Sequence, residues 1–167
     1  MTKIALITGA TSGIGKATAI KLAENGYNLI LCGRRAEKLE ELKNLLSKTV
    51  KIHSLLFDVR NRKEVELQID SLPNEWKSID VLVNSAGNAH GLSSIQNGDI
   101  DDWDVMIDGN VKGLLYVSRA IIPQMVERKK GHILNLSSIA GKQTYANGAV
   151  YCASKKAVEA ISEGMRL

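Results

Sequence analysis

The sequence predicts an α/β domain, a doubly wound parallel sheet with helices on both faces. Three observations lead there. Short β-rich apolar runs alternate with helical patterns along the whole chain. Each run is followed by a helix before the next begins, the rhythm of parallel crossovers. The first run ends in a glycine-rich turn that opens a helix, TGATSGIG at Thr8 to Gly15. Right-handed crossovers favour the strand order 3-2-1-4-5, with a crevice between the first and fourth strands at their carboxyl ends.

The elements follow in chain order. KIALIT (Lys3 to Thr8) is the first strand, and a helix from Ile14 to Glu24 is closed by Asn25-Gly26. NLILC (Asn28 to Cys32) is the second strand; Leu39, Leu42 and Leu46 then recur at helical spacing between Arg35 and Leu46. Lys51 to Phe57 gives the third strand, and Asn61-Arg62-Lys63-Glu64 has the form of a capping box. IDVLV (Ile79 to Val83) and HILNL (His132 to Leu136) are the fourth and fifth. Between them runs a long helical segment, Asp101 to Glu127, which Pro123 is expected to bend or interrupt near its end. A last helix should begin near Tyr151 and run to the terminus. No repeat, low-complexity tract or linker divides the chain, so residues 1–167 read as one domain.

Composition narrows the function classes. Of 167 residues, 44% are hydrophobic and 24% charged, as in ordinary globular proteins. The net charge is +4, with basic residues scattered among acids and aromatics at only 4%, which argues against a nucleic-acid partner. No apolar run approaches the length of a bilayer, and the N-terminus lacks a signal peptide's long apolar region. Cys32 and Cys152 form no spaced ligand pattern, so reduced thiols in a cytoplasmic protein, with no metal, are expected.

The topology brings the glycine turn, Gly33 to Arg35, Asn84 to Gly87 and Leu136 to Gly141 to one mouth. Glycine lets a backbone turn sharply and approach a ligand, and a helix N-terminus offers unpaired N–H groups to a pyrophosphate. Gly9, Gly13 and Gly15 depart from the G-x-G-x-x-G spacing, and a tight ligand-free turn would also use glycine. At the end of the second strand stands Gly33-Arg34-Arg35, with no acid before Glu37. An arginine fork matches a 2′-phosphate where an acid would meet a 2′-hydroxyl, so NADP(H) is expected over NAD(H). One of the two arginines can equally be a solvated residue opening the next helix. Asp58-Val59 ends the third strand, where the carboxylate could take the adenine amino group or cap a helix. Small residues in Asn84-Ser85-Ala86-Gly87 would let a ring or ribose lie against the backbone.

Tyr151 and Lys155, spaced i, i+4 in YCASK, share a helix face. An ammonium beside a phenol favours phenolate and suits it to acid–base work. Such pairs are common on helix surfaces, but Ser138 in LNLSSIAG lies thirteen positions earlier, where its hydroxyl can donate to a carbonyl oxygen. Asn110, unfavourable in a helix interior, can hold the backbone open for a water linking Lys155 to solvent. A serine nucleophile lacks support: there is no G-x-S-x-G, and His53, His90 and His132 suggest no triad.

These residues together resemble the short-chain dehydrogenase/reductase family, from Lys3 to the last residue. TGATSGIG matches its glycine motif, NSAG nearly matches its fourth-strand motif, Asn110 its active-site asparagine, and Ser138, Tyr151 and Lys155 its Ser-Tyr-Lys set. CGRRAEKLEEL, DVRNR, LPNEW, DDWDVMIDGN and MVERKKGHILN are similar to the NADP-dependent 3-hydroxy acid dehydrogenases, which also oxidise serine and reduce malonic semialdehyde. The resemblance implies a Rossmann-type fold and hydride transfer between NADP(H) and a small 3-hydroxy acid or related alcohol or carbonyl. Tyr151 would donate or accept the proton, Ser138 would bind the substrate oxygen, and Lys155 would hold the ribose and stabilise the phenolate. Gly9, Thr11, Ser12, Gly13, Ile14, Gly15, Arg34, Arg35, Asp58, Val59, Ser85, Ala86 and Gly87 would line the cofactor with Tyr151 and Lys155. Ser85 stands where the family usually has a second asparagine. In this family the long and last helices pair across a dimer interface, implying a homo-oligomer, a dimer or tetramer. Members run to about one and a half times this length. The domain is therefore expected to be incomplete at its C-terminus, with later strands missing, the fifth strand left as an apolar edge, and cofactor affinity and turnover reduced. A nucleotide-binding module without catalysis is the alternative.

Overall fold

Ile4–Thr8 forms β1, whose five side chains are all buried because helices cover both faces of the strand. The computed structural model describes residues 2–167. Asn28–Gly33 (β2), Ile52–Leu56 (β3), Val81–Asn84 (β4) and His132–Asn135 (β5) complete a five-stranded sheet. Its order is β3-β2-β1-β4-β5 and every pairing is parallel, as the alternation of elements predicts. Gly13–Glu24 (α1), Ala36–Leu46 (α2) and Arg62–Asp70 (α3) connect the first strands. Ile100–Ile107 (α4), Leu114–Glu127 (α5) and Ala149–Gly164 (α6) follow.

Strand alternation divides the core in two. Leu6, Ile30, Leu55 and Leu82 point to one face and pack with Val65, Trp76, Val117 and Ile121. Ala5, Ile7, Leu29, Leu31 and Val83 point to the other and meet Ala19, Ala23, Leu39, Leu42 and Leu46. The leucine spacing of α2, with Ala19 and Ala23 of α1, therefore supplies the helix side of the second core. Asn61 caps α3 as its sequence suggests: its side chain accepts from the Glu64 N–H and donates to the Glu64 carboxylate. β5 pairs with β4 alone in this sheet, and Leu134 is 41% exposed. No helix among the described residues is long and apolar enough to cross a membrane.

The long helix breaks elsewhere than expected. Pro123 sits inside α5, which continues to Glu127. Ile121 and Met125, on either side of it, are both buried, and that packing outweighs one missing N–H. The interruption lies instead at Asp108–Gly113, a π-helical turn between α4 and α5. The extra residue in such a turn re-aims a side chain, and here the buried turn residue Asn110 is drawn out to a neighbouring loop. The last helix begins at Ala149, slightly ahead of Tyr151, with Gly148 at its N-cap.

Candidate active site

Register aligns Thr8, Cys32, Asn84 and Asn135 at the carboxyl ends of their strands, and the crevice opens just beyond them. The buried Thr8 side chain builds its floor. Its Oγ1 accepts from the Ser85 N–H at 3.1 Å and the Ala86 N–H at 3.0 Å, which pins the loop after β4 to the glycine turn. Ala10 N donates to the Cys32 carbonyl and fastens the turn to β2.

Two glycines of the turn serve different needs. Gly9 has φ +63°, and a Cβ there would lie 2.9 Å from the Ala86 backbone, so the fold itself requires its absence. Gly13, at φ +51° on the first position of α1, has nothing within 4 Å of where a Cβ would stand. Gly13 lines the crevice with open space beside it, room that a ligand could use. Beside it Ile14 is 65% exposed, an apolar residue held at the mouth. Gly15 is buried against the Gly9 carbonyl, and Gly87 closes on Asn110 Oδ1. The first turn of α1 has no acidic residue, so its N–H groups and positive dipole end stay available to an anion.

The end of the crevice beside β2 and β3 gathers Thr11, Ser12, Arg34, Arg35, Asp58, Val59 and Arg60. Arg35 folds back over the turn, donating to Thr11 Oγ1 at 2.8 Å and Ser12 Oγ at 3.1 Å. Arg34 stays largely in solvent and reaches Asp58 at 3.5 Å. Asp58 is the engaged member: Arg60 Nη2 lies 2.6 Å from its Oδ2, and Arg60 Nε 3.1 Å from both oxygens. Arg60's side-chain hydrogen bonds, outweighing partial burial, hold the Asp58 carboxyl below the usual carboxylate range. The carboxylate expected to meet an adenine amino group is thus paired with Arg60. Val59 packs against Gly113 of the π turn, joining this end to the other.

The opposite end is a buried polar network. Asn110 Oδ1 accepts from the Asn88 N–H at 2.8 Å, and its Nδ2 donates to the Asn88 carbonyl at 2.9 Å and to Ser154 Oγ at 3.0 Å. Ser154 in turn donates to the Tyr151 carbonyl. Lys155 is 8% exposed; its Nζ donates to the Leu136 carbonyl at 2.9 Å and lies 5.9 Å from the centre of the Tyr151 ring. Burial lowers the Lys155 ammonium from its usual value. Tyr151 and Lys155 line the crevice together with Gly9, Gly13, Ile14 and Ser85. Ser138 opens the 3₁₀ turn Ile139–Gly141 directly after β5, its Oγ accepting from the Ala140 N–H at 3.2 Å. That bond uses an oxygen lone pair and leaves the hydroxyl proton free to donate.

The expected residues other than Gly15, Asn110 and Ser138 line the two ends of one crevice, with Gly15 against the Gly9 carbonyl, Asn110 behind Gly87 and Ser138 opening the turn after β5. Four more belong with them: Thr8, Asn88, Arg60 and Ser154. Arg60 was legible in DVRNR and Ser154 within YCASK, but nothing local distinguishes Asn88 or says that Thr8 turns its hydroxyl inward.

Known proteins match this arrangement along the whole chain. The family model described as short chain dehydrogenase covers residues 3–167. The NADP-dependent 3-hydroxy acid dehydrogenase YdfG of Salmonella typhi is 48% identical over 163 residues, 98% of this chain and 65% of that protein. Sulfoacetaldehyde reductase 2 of Chromohalobacter salexigens is 44% identical, over 99% of this chain and 66% of its own length. Among solved structures, the closed form of serine dehydrogenase complexed with NADP+ superposes with a TM-score of 0.92 at 46% identity, over 98% of this chain and 65% of that one. The chain thus spans about two thirds of the length of the curated relatives it matches. With the match running through all five strands and both ends of the crevice, this chain belongs to the short chain dehydrogenase family.

Proposed function

We propose that the chain carries the cofactor-binding and proton-transfer apparatus of an NADP-dependent oxidoreductase that interconverts the hydroxyl and carbonyl of a small 3-hydroxy acid. One observation carries the reading: a buried lysine and a tyrosine, Lys155 and Tyr151, line one crevice together with a glycine turn that has open space beside Gly13. NADP(H) supplies or accepts the hydride when bound. The residues present suit it: Gly13 leaves room for a pyrophosphate at the α1 N-terminus, Ile14 offers an apolar face, and the exposed Arg34 guanidinium, with one long contact to Asp58, can turn to a 2′-phosphate. Gly9, Gly15, Thr11, Ser12, Arg35, Asp58, Val59, Ser85, Ala86 and Gly87 complete the cradle.

In this reading the Tyr151 hydroxyl passes the proton to or from the substrate oxygen, and the free Ser138 proton donates to the same atom. Lys155 places its ammonium beside the phenol and near a ribose. Asn110 keeps the π turn open beside it. The relatives' names support the substrate class: a 3-hydroxy acid, serine and sulfoacetaldehyde each join a short hydroxyl or carbonyl carbon to an acid group. A cytoplasmic homo-oligomer belongs to the same reading, with Leu115 and Val126 of α5 left exposed for a partner copy.

The test is a fluorescence titration of the chain with NADPH and NADH, followed by absorbance assays with malonic semialdehyde or serine. NADPH should bind at least about tenfold more tightly, as an added charged hydrogen-bonded group allows, and its absorbance should fall with malonic semialdehyde. Equal affinities would sink the cofactor assignment; binding without turnover would leave a nucleotide-binding module.

A further inference from the structure

The adenosine pocket is lined by three arginines and one acid, Asp58. A carboxylate can accept about four hydrogen bonds, and Arg60 takes most of that capacity. Its backbone N–H lies 3.0 Å from Oδ1, its Nε 3.1 Å from both oxygens, and its Nη2 2.6 Å from Oδ2. Arg34 makes one long contact at 3.5 Å and is 64% exposed, against 33% for Arg60. Arg35 is committed to the hydroxyls of Thr11 and Ser12. Arg34 thus spends only Nη1 on the acid, at long range, and Arg35 only Nη2 on the hydroxyls, while Arg60 makes the short contacts to Asp58.

We infer that Arg60 is a positioning residue for recognition of a 2′-phosphate: by taking most of the Asp58 carboxylate it offsets the pocket's acid and leaves Arg34 with one long contact to it, so that the rest of the Arg34 fork can turn to the phosphate. The inference rests on the dinucleotide reading above. Without Arg60, the carboxylate has Arg34 as its nearest cation, the two close into a pair, and an arriving phosphate meets an engaged fork beside a negative charge. Asp58 then acts against the cofactor instead of binding its adenine.

The test is calorimetric titration of the chain with 2′,5′-ADP and with 5′-ADP, which lacks the 2′-phosphate. Arg60→Ala should weaken 2′,5′-ADP about tenfold, the order of one charge-assisted contact, and move 5′-ADP less than about twofold. Adding Asp58→Asn to Arg60→Ala should restore 2′,5′-ADP binding close to the parent, because the acid that captures Arg34 is gone. Arg60→Lys, a point charge without the fork, should fall between parent and Arg60→Ala. An unchanged ratio of the two affinities in Arg60→Ala overturns the inference, as does equal loss of both probes. A loss that persists in Asp58→Asn/Arg60→Ala overturns it too, by making Arg60 a direct phosphate ligand. A parent that binds neither probe refutes the dinucleotide reading, and this inference with it.

Discussion

Asp58 and Asp80 make a natural pair, one acid with two cations at each end of the sheet. At the carboxyl end Asp58 meets Arg60 and Arg34 in an open pocket. At the amino end Asp80, 11% exposed, meets Lys130 at 2.9 Å and Arg128 at 3.7 Å, and accepts from the Ile4 N–H at 3.0 Å. The second cluster ties the start of β1, the approach to β4 and the end of α5 together. Burial opposes its ionisation, yet Lys130, the Ile4 N–H and Arg128 together hold its carboxyl below the usual range. The same charges staple the fold where the space is closed and remain open to a ligand where strands and loops leave a gap. Function should therefore respond to the carboxyl end and stability to the amino end.

The largest separation is expected from Tyr151→Phe. Loss of a positioned acid–base group removes about a thousandfold in kcat, while NADPH affinity and the denaturation midpoint stay near the parent's. A variant as active as the parent breaks the comparison at its carboxyl end. Asp80→Asn should do the reverse, lowering unfolding free energy by about 2 kcal/mol at neutral pH and leaving NADPH affinity unchanged. Its folded-state pKa is depressed, so the stability it contributes is present above the unfolded carboxylate value and lost as pH falls through the folded one. Denaturant curves of parent and Asp80→Asn should accordingly converge in acid. The smallest effect belongs to Lys155, whose lowered pKa means the native state gives up its proton before the unfolded state does. Between those two values the unfolded chain binds more protons, so stability rises with pH in the alkaline range. Lys155→Met should flatten that rise; an unchanged slope would remove the buried ammonium from the account.

Much of the fold was legible because its signals are local. Strand alternation, the leucines of α2, the Asn61 cap and the glycine turn each sit within one element, and each formed where expected to within a residue or so at the boundaries. Pro123 leaves the helix uninterrupted for a physical reason: proline removes one hydrogen bond, and the buried neighbours Ile121 and Met125 outweigh it. The π turn at Asp108–Gly113 had no local mark except an asparagine and two glycines.

The sequence by itself determined the order of strands, the crevice, and the residue types that reach it, since periodicity and turn chemistry act over a few residues. Only the tertiary structure decided how those side chains are employed. Arg60 takes the short contacts to Asp58 and Arg34 a long one, Thr8 spends its hydroxyl on the loop after β4, and Asn110 ties Asn88 to Ser154. Each of these choices is a competition among several donors for few acceptors, and its outcome depends on distances between elements that no local pattern encodes.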